Sequence, residues 1–177
     1  MSDVTNILLA TITLIAGSSF LAAIASNWQI SRSKRKKMVA DAIQSALKRV
    51  EMYYRVRRRK ADGSDDARLR DLFHDIQEDN DHKLALLDME SPWIGAAYRS
   101  FLGALKRELA PFMKAAWSRD GDGADVQLRP ESRPDVDKYV RLFSRDARRL
   151  FNPFMRPAMR VRYSIRKLIK DNPYDTI

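Results

Sequence analysis

Three residues whose side chains can bind metal ions recur at four-residue intervals, namely His74, Glu78 and His82. Positions four residues apart share one face of a helix, and imidazole and carboxylate groups bind Zn²⁺ and related divalent ions. The outer two positions lie about 12 Å apart along a helix axis, so a single ion would also need a ligand from another element. The alternative is a solvated acidic face that pairs with a basic helix. We expect that alternative, with no bound metal and no other cofactor.

The other motifs do not predict an enzyme. Asp75 follows His74, but the additional upstream histidine of HD-type phosphohydrolases is missing. The segment 120–125, together with Glu131, matches an EF-hand loop at only some ligand positions, so we interpret it as an acidic turn. The sequence has no cysteine, no Gly-rich phosphate loop and no Ser/His/Asp set. We therefore expect a non-enzymatic protein without a small-molecule substrate.

Two basic patches are candidate contact surfaces. The first follows Tyr53 and Tyr54, and the second lies on a helix near the C-terminus. Clustered arginines bind phosphate and neighbouring aromatic rings stack on bases, which is typical of nucleic-acid binding. A basic amphipathic helix also lies on anionic membranes or in a partner's groove, or packs on its own domain. The residues of the two patches are Arg55, Arg57, Arg58, Arg59, Lys60, Arg160, Arg162, Arg166 and Lys167.

An uncharged run from Val4 to Ser31 precedes both basic patches. Its apolar part, residues 7–25, would rise about 28 Å as a helix, close to the roughly 30 Å of a bilayer's hydrocarbon. Because only a helix satisfies its backbone groups in lipid, residues 1–31 are predicted to form a transmembrane anchor. A tryptophan and a basic cluster follow, as expected at the interface on the positive-inside face. These interface residues are Trp28, Arg32, Lys34, Arg35, Lys36 and Lys37.

The charge order around this run sets the orientation. Positive charge stays in the cytoplasm, so the pattern predicts an outside N-terminus and a cytoplasmic body, most simply in a bacterial inner membrane. Residues 23–25 resemble a signal-peptide cleavage site, but a signal peptide carries its positive charge before the apolar run. We therefore favour a single-pass signal-anchor.

Small residues recur along the anchor at positions Ser18, Ala22 and Ser26. Such residues let membrane helices approach closely, so this stripe is a candidate surface for self-association or for a partner's membrane helix. Small residues are also common in anchors that do not associate.

The rest of the chain, residues 32–170, reads as a basic cytoplasmic helical domain, with a flexible tail at 171–177. Residues 32–60 hold twelve Lys and Arg against two acids, whereas residues 61–90 hold three against ten. Apolar residues recur at helical spacing in both segments, so we expect them to pair as an antiparallel hairpin. Further helices are predicted from Pro92 to about Ser118, from Asp135 to Phe151 and from Pro153 to Lys170.

These observations predict an all-α fold, in which a transmembrane helix continues into a bundle of about four helices. The function that fits best is a membrane-tethered interaction or scaffold module, either self-associated or within a larger complex. A membrane-anchored nucleic-acid-binding protein is one alternative, and an oligomeric membrane-perturbing effector is another.

Overall fold

The structure is a computed structural model of the chain, and it is all-α. It describes the backbone of residues 2–118, 134–152 and 154–169, and the side chains of residues 26–118, 134–152, 154–155 and 157–165. This part of the chain contains five helices and no strand. They are α1 (Ser2–Arg57), α2 (Asp66–Glu90), α3 (Pro92–Trp117), α4 (Asp137–Phe151) and α5 (Arg156–Ile169). The all-α prediction is therefore confirmed.

Helix bounds follow local signals in the sequence. Pro92 occupies the start of α3, where its missing N–H is not needed. Ser91 is extended and precedes it, as expected for a cap residue, but its side chain makes no capping hydrogen bond. Gly63 lies in the turn between α1 and α2 with a φ of 71°, a conformation that glycine adopts without steric cost. The predicted bounds of α3, Pro92 to about Ser118, agree with the observed bounds within one residue.

The chain divides into two compact units, residues 1–37 and 38–177, and α1 contributes to both. In the first unit, the backbone from Ser2 onward is helical. Among residues with described side chains, no helical stretch is both long enough and apolar enough to cross a membrane. The side chains of residues 1–25, which hold most of the predicted anchor, lie outside the described residues. The transmembrane segment therefore stays a prediction.

The second unit is built around α3, whose apolar face is almost wholly buried. Tyr98 and Phe101 of α3 have no exposed surface, and neither has Phe143 of α4. The rings of Phe101 and Phe143 stack with centroids 5.1 Å apart and planes 7° apart. These three rings belong to a first hydrophobic core cluster. It joins α3 to α4 and also includes residues of α1, α2 and α5. A second cluster joins the end of α1 to α2 and α3.

Apolar residues at positions 39, 43, 46, 50 and 53 predict a narrow apolar seam on α1, and the buried stripe is wider than this seam. Positions 39, 46 and 53 are buried as their spacing predicts, but Ile43 and Val50 are only partly buried. Ala42, Met52 and Val56 are fully buried instead. The reason is that α1 packs against both α2 and α3, so it needs two adjacent apolar faces.

The α2–α3 hairpin is tight because a single residue, Ser91, separates its helices. Gly95 faces the last turns of α2, and a Cβ atom there would collide with the Asp88 side chain and lie 3.0 Å from its Cα. A glycine at this position therefore favours the close approach of the two helices.

A buried polar network crosses the core where the sequence predicts an apolar seam. Asn80, which is fully buried, donates from Nδ2 to the backbone oxygen of Ile76 at 2.6 Å. The Tyr98 hydroxyl lies 2.8 Å from Asn80 Oδ1 and 3.0 Å from the Ala42 oxygen, and it donates to one of them at a time. Burial raises the pKa of Tyr98, so the hydroxyl stays a donor. Because its partners lie on α1 and α2, the network fixes how α3 packs on both.

Candidate functional site

The hairpin of opposite charge predicted for α1 and α2 is present. Lys48 of α1 donates to Asp79 Oδ2 of α2 at 2.7 Å, and Ser45 Oγ donates to the same oxygen at 2.9 Å. These hydrogen bonds, that of Lys48 first, hold the pKa of Asp79 below its ordinary value even though partial burial opposes them. One carboxylate of the acidic face of α2 is thus paired with a cation of α1.

This pair makes a contribution to stability that depends on pH. A carboxyl with a lowered folded pKa stabilises the fold above its unfolded value, near 3.8, and loses that contribution as the pH falls through the folded value. We expect Asp79→Asn to lower the free energy of unfolding at pH 7 by about 0.2–1 kcal/mol, the range of partly exposed pairs. The difference from the parent protein should shrink below pH 3.8. Chemical denaturation at pH 7 and pH 3 measures both values, and an equal difference at both pH values would contradict the assignment.

The metal-site candidates His74, Glu78 and His82 are all exposed on α2. Across the described side chains, no group of three or more His, Asp or Glu is arranged to hold a metal ion. His74 instead lines a cleft together with Arg49 and Arg70, whose positive charges oppose a cation. The partial calcium-loop motif at residues 120–125 lies outside the described residues.

The first basic patch is not one continuous surface. Arg55 is exposed and donates from Nε to Glu51 at 3.0 Å, and Arg57 lies over the ring of Tyr53. Arg58 and Lys60 are also exposed. Arg59 differs from all of these, because only a tenth of its side chain is accessible.

Arg59 caps the C-terminus of α3. Its Nη1 donates to the oxygen of Ala116 at 2.8 Å, and its Nη2 donates to the oxygen of Trp117 at 3.0 Å. These carbonyls belong to the last turn of a helix, where no intrahelical donor remains and the helix dipole favours a cation. The guanidinium also lies 5.1 Å from the Trp117 ring centroid and pairs with Asp66, with Nε 3.6 Å from Oδ1. The role of Arg59 is therefore structural, and no local pattern in the sequence separates it from its neighbours.

The second basic patch lies on α5. The regular apolar seam of this helix, which includes Val161 and Ile165, is not the side that packs on the bundle. Met159 and Tyr163 are buried. The Tyr163 hydroxyl donates to Asp146 Oδ2 of α4 at 3.1 Å, and Asp146 is itself buried. One narrow face, with residues four apart, thus attaches α5 to the bundle.

The remaining apolar residues of this region form an exposed strip. Phe154 is 91% exposed, Val161 59% and Ile165 50%. Ala158 lies between them at helical spacing and is also exposed. Arg160, next to the strip, is exposed, and Arg162 is partly exposed. The side chains of Arg166 and Lys167 lie outside the described residues. We use the name exposed strip of α5 for Ala158, Val161 and Ile165 of this helix together with Phe154 and Met155, which directly precede it.

The interface candidates next to the predicted anchor are accessible. Trp28 is 55% exposed, and the Arg32 guanidinium lies 5.1 Å from its ring centroid. Lys34, Lys36 and Lys37 are exposed, and Arg35 is partly exposed. Ser26 of the small-residue stripe is exposed as well, whereas the side chains of Ser18 and Ala22 lie outside the described residues.

Comparison with known proteins gives no family for this architecture. The chain matches no protein family, and no curated protein or solved structure is significantly similar to it.

Proposed function

We propose that the chain is a membrane-tethered, non-enzymatic interaction module, and that α5 holds its helical domain against the anionic surface of the membrane. The observation that carries the proposal is the exposed strip of α5, because large apolar side chains at helical spacing are left in water while another face of the same helix packs on α4. Large exposed apolar side chains that recur along one side of a helix favour an interaction site.

Charge favours lipid as the occupant of this surface. The α5 sequence contains five Arg and Lys and no acid. An amphipathic helix with a cationic polar side binds an anionic bilayer by burying its apolar side at the headgroup level, and each cation near the surface adds roughly 1 kcal/mol of attraction. In this proposal, the predicted anchor at residues 1–31 raises the local concentration of lipid around α5, so weak contacts suffice.

The predicted anchor determines on which side of the membrane the helical domain lies in this proposal. The N-terminus lies outside, and the domain lies on the cytoplasmic side of a bacterial inner membrane. The bundle then serves as a scaffold, either within a larger membrane complex or in a self-associated form, with the small-residue stripe as one contact. Two cations of the first basic patch are already engaged, Arg59 by α3 and Arg55 by Glu51, which weakens the nucleic-acid alternative.

Single cysteines test the lipid contact, since the natural sequence has none. In full-length Ile165→Cys, an environment-sensitive fluorophore is attached to the new cysteine, and the protein is placed in liposomes with and without anionic lipid. The matched control is Ala85→Cys, at an exposed position of α2. We expect a blue shift and quenching by lipid-borne quenchers at position 165 in anionic liposomes only. Adding Arg160→Glu should weaken the effect.

Two results would overturn the proposal. One is a fluorophore at position 165 that stays in water on anionic liposomes. The other is one that is equally protected in detergent, which would indicate a protein partner or a second copy on the strip.

A further inference from the structure

A cleft of about 720 Å³ lies between α2 and α3, beside α1. Its volume falls within the range of small-molecule sites. Most of its floor comes from apolar side chains of α2 and α3, and charged side chains stand around it. The residues that line the cleft include Arg49, Phe73, Gln77, Lys106, Ala110 and Trp117.

The two ends of the cleft differ in chemistry. The helices α2 and α3 are antiparallel, because one residue joins them, so late positions of α2 lie beside early positions of α3. Gln77 and Asp81 therefore share an end with Lys106, whereas Phe73 shares the other end with Trp117. Positions 73 and 81 are about 12 Å apart along the helix. One end thus carries Gln77, Asp81 and Lys106, and the other carries the rings of Phe73 and Trp117 together with Arg70 and His74.

The polar groups favour an anion. Arg49 and Lys106 bring two positive charges, Arg70 adds a third at the end that holds Phe73 and Trp117, and Asp81 is the one carboxylate that lines the cleft. Within the described part of the chain, the side chains of these three cations form no ion pair and no hydrogen bond. Charge-assisted hydrogen bonds to phosphate are among the strongest that such groups make.

The aromatic end favours a flat ring. Trp117 is partly buried, and Arg59 lies over its ring, which fixes the orientation of the indole beside the cleft. Phe73 is held by the second core cluster. Oriented aromatic side chains of this kind offer a stacking surface that tolerates different bases.

We infer that this cleft binds a small ligand of the nucleotide class, with its phosphates at Arg49 and Lys106 and its aromatic ring near Phe73 and Trp117. The distance between the ends suits the separation of a base from a polyphosphate. Gln77 and Asp81 offer an amide and a carboxylate to sugar or base groups. The inference stands on the second unit alone and does not depend on the membrane contact of α5.

Calorimetric titration of the full chain in zwitterionic lipid nanodiscs tests the inference. The probes are ATP, inorganic triphosphate without a ring, and adenosine without phosphate. Saturable binding of ATP is expected below about 1 mM and more tightly than either fragment. Ala110→Trp fills the cleft without changing its charge and should abolish binding. Lys106→Gln should weaken it roughly tenfold or more.

Matched controls on α3 keep the test specific. Ala115→Trp and Lys114→Gln make the same changes at exposed positions that do not line the cleft, and both should bind ATP as the parent does. Thermal unfolding confirms that each variant is folded. The inference is overturned if ATP does not saturate, if Ala110→Trp binds as tightly as Ala115→Trp, or if inorganic triphosphate binds as tightly as ATP.

Discussion

Arg59→Met is expected to lower the free energy of unfolding by about 3 kcal/mol, because two charge-assisted hydrogen bonds and one ion pair are lost. Methionine keeps most of the apolar stem but cannot donate to the oxygens of Ala116 and Trp117, which then end α3 without a partner. Asp66 also loses its cation. Chemical denaturation in a mild detergent, followed by tryptophan fluorescence, measures the change.

The neighbouring residue provides the matched control. Arg58→Met makes the same substitution at an exposed position and should change the free energy of unfolding by about 0.5 kcal/mol or less. A small and equal effect of both substitutions would mean that Arg59 does not cap α3. In that case the first basic patch would be a surface, as the spacing of its arginines alone suggests.

Phe143→Ala is expected to have the larger effect, a loss of about 3–5 kcal/mol, because it removes a fully buried ring and leaves a cavity. The ring stacks on Phe101, and its centroid lies 5.5 Å from that of Tyr98. These contacts attach α4 to α3. Since α5 packs on α4 through Tyr163 and Asp146, hydrogen exchange should accelerate in both α4 and α5.

Phe143→Leu is the control for this prediction. It keeps an apolar side chain of similar size and should cost less than about 1.5 kcal/mol. If Phe143→Ala were no worse than Phe143→Leu, or if exchange accelerated in α2 rather than in α4 and α5, the proposed attachment of α4 through this ring would be contradicted.

Much of the helical architecture follows from local signals. Pro92 and the turn around Gly63 mark helix ends, and the single apolar seam of α3 predicts its buried face, from Ile94 to Leu109. A helix with a single apolar side can bury only that side, so the pattern in α3 predicts both the helix and the face by which it packs.

The packing of α5 could not be predicted in this way because the helix has two apolar faces. The regular seam, with Val161 and Ile165, is the more continuous, yet Met159 and Tyr163 are the buried residues. What distinguishes them is a hydroxyl that reaches Asp146, a residue on another helix. Hydrogen bonds between elements leave no trace in the periodicity of either one.

The same limit applies to the polar residues of the candidate sites. Asn80 interrupts the apolar seam of α2, which is a visible signal, but its partner Tyr98 lies on another helix. Arg59 is one of several consecutive basic residues, and only the position of the α3 C-terminus selects it. The cleft residues come from three helices and form no motif.

Membrane integration of the full chain, followed by one-sided labelling of single cysteines, tests whether residues 1–31 anchor the helical domain on the cytoplasmic side. The protein is expected to resist alkaline carbonate extraction. Ser2→Cys should react with a membrane-impermeant reagent from outside intact cells, and Ala85→Cys only after permeabilisation. Release by carbonate without detergent, a mature chain that begins near Ser26, or labelling of Ala85→Cys from outside would contradict it.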